Sequence, residues 1–251
     1  MNDFEYSSIK QRFMSTRSAF DESMIEPCKN DIRFFAEQCC MITDTDDFVE
    51  HRSLIKLSNS QKELLKKFKT NGKLVIYGKR QSGKTSLCCI YALWNVLLFP
   101  NRKVLIVTHP KKSTAMHTMD IISRIYEDLP SILKQIVLSI TDERVEFSNG
   151  SCLEVVPFYK NDVNLKEFDV IMFDECAFLN DDQTDELKLI ISELNDFRQQ
   201  VILISSYKKD GDSFFEELYE NSPKALESNF VSCELNRISV EKLLTKSVSV
   251  V

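Results

Sequence analysis

The chain has 251 residues, 43% hydrophobic and 28% charged, with a net charge of −6 at pH 7; that length and balance predict one large domain with a packed core and exclude a disordered chain. The negative balance argues against a domain that coats nucleic acid indiscriminately, leaving only small, separated basic clusters such as Lys66 to Lys69, Lys79-Arg80, Lys111-Lys112 and Lys208-Lys209. No run of about eighteen apolar residues is present to cross a bilayer, and the polar, acidic start from Met1 to Lys10 is not a secretory leader, so an intracellular chain with no membrane contact is expected.

From the N-terminus, a polar opening of about 25 residues reads as a loosely ordered terminus that adds little to the core. Asp31 to Met41 puts an N-cap-like aspartate ahead of apolar residues at helical spacing, which predicts a helix with one buried face. A second helix is expected over Ser58 to Phe68, opened by the capping cluster Ser58-Asn59-Ser60. From Lys73 the pattern changes to short apolar runs alternating with amphipathic stretches, as in a sheet covered on both faces. Strands are predicted at Leu74 to Tyr77, Val104 to Thr108, Val170 to Phe173 and Val201 to Ser205, each apolar without clean alternation, as for parallel strands buried on both sides. In Arg144 to Phe158, two β-like runs flank Asn149-Gly150 and predict an antiparallel hairpin. Helices are predicted at Lys84 to Leu98, Lys112 to Leu129, Gln183 to Leu194 and Ser213 to Glu220, with Pro130 and Pro223 marking ends, and a last strand at Phe230 to Leu235. The eight cysteines form no C-x-x-C pair and the three histidines no H-E-x-x-H, so reduced core thiols and no dedicated transition-metal site are expected.

The segment Gly78-Lys79-Arg80-Gln81-Ser82-Gly83-Lys84-Thr85 fits G-x-x-x-x-G-K-[ST] at every fixed position, after a predicted strand and before a predicted helix. A chance match in a chain of this length is on the order of one in a hundred at average glycine usage. Glycines let the backbone curl so that successive N–H groups point at phosphate oxygens, with the positive end of the following helix behind them. Lys84 is then expected to reach the β- and γ-phosphates and Thr85 to ligate magnesium.

The apolar strand Phe168 to Phe173 ends in Asp174-Glu175, at the strand end where α/β sheets bind ligands. Asp174 is expected to hold magnesium and Glu175 to orient or deprotonate the attacking water. Val201 to Ser206 ends in two hydroxyls, Ser205 and Ser206, which at that place are suited to sense a γ-phosphate. No N-K-x-D guanine-reading segment is present: Asn164-Leu165-Lys166-Glu167 fails at its second and final positions. These features predict an α/β P-loop NTPase with a mainly parallel central sheet, of the additional-strand catalytic-glutamate type, with an N-terminal helical attachment.

Taken in order, these elements resemble the ATPase domain of the large terminase subunit, the motor that packs DNA into the capsids of tailed bacteriophages. The basic, Arg-Gln-containing loop Lys79 to Thr85 is similar to that family's variant P-loop, and LSNSQKELLKKF from Leu57 to Phe68 resembles its adenine-reading segment, with Gln61 as the matching glutamine. Asp169 to Glu175, Ser205-Ser206 with the following Phe214-Phe215 helix, and Asn149-Gly150-Ser151 match other parts of the pattern, which covers roughly Asp31 to Leu235. The resemblance implies ATP and Mg2+ as cofactors and makes Arg80 a charge that stabilises the transferred phosphoryl group. It implies double-stranded DNA, a portal protein and a small terminase subunit as partners, a homo-oligomer on the portal, and work in the cytoplasm of the infected host cell. The expected layout is a polar segment over 1–30, the ATPase domain over 31–235 and a tail over 236–251. A large terminase would continue into an RNase H-like nuclease where this chain ends, so cutting activity is not expected of it. Two other readings are a helicase-like P-loop ATPase and an assembly protein that binds ATP without turning it over.

Overall fold

The computed structural model describes residues 3–13, 22–46, 49–158, 163–194, 199–206, 214–221 and 231–235. The Lys208-Lys209 cluster, Pro223 and the 236–251 tail lie outside them. Helices α1 (Asp3–Phe13), α2 (Ile25–Asn30) and α3 (Ile32–Cys39) lead into strands β1 (Met41–Asp46) and β2 (Val49–Leu54), then α4 (Asn59–Thr70). The alternating part follows as β3 (Lys73–Gly78), α5 (Lys84–Leu98), β4 (Lys103–Thr108) and α6 (Lys112–Asp128). Next come β5 (Val137–Ile140), β6 (Arg144–Phe147), β7 (Cys152–Pro157), β8 (Val170–Asp174) and α7 (Asp181–Leu194), and then β9 (Gln200–Ser206), α8 (Phe214–Asn221) and β10 (Val231–Leu235).

Among the described residues β3 to β10 form one eight-stranded sheet in the order β10-β3-β9-β8-β4-β7-β6-β5. Pairing is parallel from β10 to β7 and antiparallel at β7–β6–β5. β9 sits between β3 and β8, so a strand separates the phosphate-loop strand from the carboxylate strand, which is the additional-strand arrangement expected from the sequence. The register lines up the working ends: Gly78 is opposite Ser206, and Asp174 is opposite Ile204.

Strand periodicity of two divides the core into two layers. Leu74, Ile76, Val104, Ile106, Val170, Met172, Ile202 and Ile204 pack on one face with α3, α4, α5 and α6. Val75, Tyr77, Leu105, Val107, Ile171, Phe173, Val201 and Leu203 pack on the other with α7 and α8. The α5 helix is buried nearly all round, from Leu87 to Leu97, which explains its lack of a polar face.

The opening segment departs from expectation. Ile9 and Phe13 of α1 are core residues, 6% and 2% exposed. Phe13 packs on Tyr126 of α6, ring centres 4.8 Å apart, and Arg12 pairs with Asp120. The two apolar side chains stand one helical turn apart among polar neighbours, so only the partner helix reveals their burial. The β1–β2 hairpin is likewise absent from the expectations; Arg52 fastens it to α6 through Asp128 at 3.0 Å. Among the described residues no helix is long and apolar enough to cross a membrane, and Cys28, Cys39, Cys40, Cys88, Cys89, Cys152 and Cys176 are buried and free of disulfides.

Candidate active site

The phosphate loop runs from the last residue of β3, Gly78, to the N-terminus of α5. Gln81 (φ 59°) and Gly83 (φ 83°) are left-handed and curl the chain inward. Gly83 is demanded by its φ, and a Cβ there would also lie 2.9 Å from Gln61 Nε2, so that side chain would have to shift. Lys84 is buried, and its ammonium donates to the carbonyls of Gly78 (3.2 Å) and Lys79 (2.8 Å) and to Ser82 Oγ (3.3 Å). Burial lowers its pKa from the ordinary 10.5, while Glu175 and Asp174 act in the opposite sense.

Across the loop, Thr85 Oγ1 donates to Asp174 Oδ2 at 2.8 Å, and Asp174 Oδ1 accepts the Glu175 N–H at 2.9 Å. Burial, reinforced by Glu175, pushes the Asp174 pKa up to about 6. Glu175 itself has a left-handed backbone, φ 60° and ψ 36°, a conformation that non-glycine residues keep chiefly where the surroundings over-determine it. Ser206 Oγ makes a long bond, 3.4 Å, to Glu175 Oε1. Glu175 Oε2 is sealed from solvent without a hydrogen-bond partner, an arrangement that costs about 1–3 kcal/mol and that stability alone does not explain.

These groups line a cleft of about 410 Å³, walled by Arg80 to Ser86, Asp174, Glu175, Ser206 and, from α6, Thr114, His117, Thr118 and Ile121. The Arg80 guanidinium stacks over Phe178, 5.1 Å from the ring centre, which holds a cation at the rim. Thr85 and Asp174 converge as hard oxygen donors in a buried corner, a donor set that suits magnesium bound through one carboxylate, a hydroxyl, water and phosphate oxygens.

No protein-family model matches the chain. In three dimensions it is similar to the large terminase of bacteriophage HK97, with a TM-score of 0.63 at 13% identity over 82% of this chain and 43% of that one. The large-terminase ATPase domain of Thermus phage P74-26 superposes with a TM-score of 0.58 at 16% identity, covering 78% of this chain and 89% of that domain. The large terminase of another thermophilic bacteriophage gives 0.54 at 11% identity, covering 72% of this chain and 46% of that one. This chain has the fold of a phage large-terminase ATPase domain. It spans less than half the length of the first and third of these proteins.

Within this terminase fold the expected residues divide. Arg80, Gln81, Ser82, Gly83, Lys84, Thr85, Asp174, Glu175 and Ser206 meet in the cleft. Gly78 and Lys79 contribute carbonyls to Lys84 behind it. Ser205 does not face the cleft with Ser206: it is fully buried, accepts the Ala177 N–H at 3.0 Å and fixes the 3-10 turn Cys176–Phe178 that follows the carboxylates. Adjacent strand residues point to opposite faces, so the two serines do different work.

Gln61 stands behind the loop. Its Oε1 accepts from the Ser58 N–H at 2.9 Å, completing a capping box, and its Nε2 donates to the Ser82 carbonyl at 3.1 Å. It therefore ties α4 to the phosphate loop. Sequence reasoning missed the α6 residues of the cleft. Thr114, His117, Thr118 and Ile121 follow helical spacing, but a polar helical stripe reads as a solvated face until the opposite wall is known.

Proposed function

We propose that this cleft binds ATP with magnesium and hydrolyses it, and that the chain is the ATPase motor of a terminase-type machine that drives double-stranded DNA into a viral procapsid. One observation carries the reading: a phosphate loop whose Thr85 touches Asp174 at 2.8 Å, beside a glutamate with a left-handed backbone and an orphaned oxygen. The terminase fold supports the motor class.

The loop N–H groups and the N-terminus of α5 hold the phosphates, and Lys84 exchanges its loop carbonyls for β- and γ-phosphate oxygens. Thr85 and Asp174 would hold a magnesium ion, which would supply positive charge against the phosphates. Glu175 accepts a proton from the water that attacks the γ-phosphorus in line, as a positioned base. Ser206, bonded to the same carboxylate, links the state of that base to β9 and the chain beyond. Arg80 swings from Phe178 onto the transferred phosphoryl group, where such a charge is worth about three to five powers of ten in rate. Adenine reading by Gln61 requires its amide to leave Ser58 and Ser82 for the base, so base selection and loop geometry are linked through one side chain.

Portal protein, a small terminase subunit and further copies of the chain on the portal are the partners this reading supplies. The test is magnesium-dependent ATPase activity of the full chain, alone, with single- or double-stranded DNA, and with portal-bearing capsids. Stimulation by capsids with duplex DNA is expected. Stimulation by single strands alone would make it helicase-like, and nucleotide binding without turnover would make it an assembly factor.

A further inference from the structure

The sheet order fixes a direction across the cleft. Gln61 and α4 lie on the phosphate-loop side, at Ser82 and Gly83. The carboxylates stand at the end of β8, and α6 leaves β4, the strand on the far side of β8 from the loop strand β3. From Lys84 and Thr85 the cleft extends past Asp174 and Glu175 to α6, leaving room on that side for a terminal phosphate.

There α6 presents Thr114, His117, Thr118 and Ile121, one helical face at i, i+3, i+4 and i+7, as the cleft's far wall. Thr118 is committed to the Thr114 carbonyl at 3.0 Å, and Ile121 is apolar. His117 differs: it is exposed, and a second cavity, lined also by Ile9, Met116 and Arg12 between α1 and α6, opens on its other side. The imidazole is thus a wall shared by two cavities. It brings an N–H donor in either protonation state, at the side of the cleft where a triphosphate is longer than a diphosphate.

Resting on the reading of the cleft as an ATP site, we propose that His117 contacts the terminal phosphate and is the residue by which the site distinguishes ATP from ADP. A plain solvated helix histidine would leave both nucleotides alone. Affinities of the full-length chain for ADP and for ATPγS, each with magnesium, separate the two by calorimetry. For His117→Ala the ATPγS affinity falls by about tenfold or more, the scale of a hydrogen bond to a charged group, while that for ADP stays within about twofold. His117→Gln, which keeps an N–H donor, recovers part of the loss. Equal weakening of both nucleotides, or no change in either, would overturn the proposal. Failure of the wild-type chain to bind either nucleotide would overturn the reading of the cleft itself.

Discussion

At the scale of single residues, the cleft is organised around a carboxylate held against its preference. Desolvation raises the Asp174 pKa from 3.8 to about 6, a difference on the order of 3 kcal/mol between its protonated and charged forms. The folded state thus keeps a proton that the unfolded chain releases, so Asp174 lowers stability progressively as pH rises from about 4 to 6. Above that window the cost is constant. Asp174→Asn removes it. In magnesium-free buffer the variant and the wild type should melt together below about pH 4, and the variant should melt several degrees higher above about pH 6. A gap that is absent, or of the opposite sign, would show that the buried charge is already compensated. On the proposed reading of the cleft, the same substitution should abolish magnesium-dependent turnover, since it removes the carboxylate proposed to hold the ion.

At the scale of elements, two joints position the site. In the first, Gln61 closes the α4 capping box and reaches the Ser82 carbonyl. Gln61→Ala leaves the Ser58 cap but removes the Gln61 side-chain hydrogen bonds to Ser58 and Ser82; it should lower stability by about 1 kcal/mol and weaken the preference for ATP over GTP in competition binding. An unchanged preference would confine Gln61 to its structural tie. In the second joint, the β6–β7 turn docks on the α5–β4 connection. Asn149 Nδ2 donates to the Val96 carbonyl at 2.8 Å, Ser151 Oγ donates to the Phe99 carbonyl at 2.9 Å, and the Asn101 N–H donates to the Asn149 carbonyl at 3.0 Å. Gly150 has φ 81°, and a Cβ there would lie 2.2 Å from Asn101 Oδ1. Gly150→Ala should therefore cost roughly 1–2 kcal/mol from backbone strain alone, read as a lower urea midpoint with unchanged slope; an unmoved midpoint would contradict the left-handed turn at Gly150.

These joints also show what a sequence makes legible. The phosphate loop, the Asn149-Gly150 turn and the capped starts at Asp31 and Ser58 are local chemistry, written in a few adjacent residues. The Asp174-Glu175 pair is readable because an apolar strand delivers it. The α1 packing, the β1–β2 hairpin and the α6 wall are not, because each depends on a distant partner: Tyr126 for Phe13, Asp128 for Arg52, and the phosphate loop for His117. Ser205 passes in the sequence for a companion of Ser206, since strand alternation separates neighbours that look equivalent in a row of letters.

At the scale of the whole molecule, one edge of the sheet gathers every chemical group. The carboxyl ends of β3, β8 and β9 deliver the loop, the acidic pair and Ser206, while two apolar layers and α5 hold them in register. With a net charge of −6, the chain has little general attraction for DNA phosphates, so duplex binding is predicted to be weak and to fall steeply as salt rises. The motor proposed for this chain then rests on the cleft. A single-turnover assay with γ-labelled ATP, run on the wild-type chain and on Glu175→Gln, tests that claim most directly. The wild type should convert bound ATP to ADP and phosphate, whereas the variant should hold ATP and magnesium with wild-type affinity and cleave at least about a hundredfold more slowly, the scale of losing a positioned base. Cleavage by Glu175→Gln within a few-fold of wild type would contradict the account.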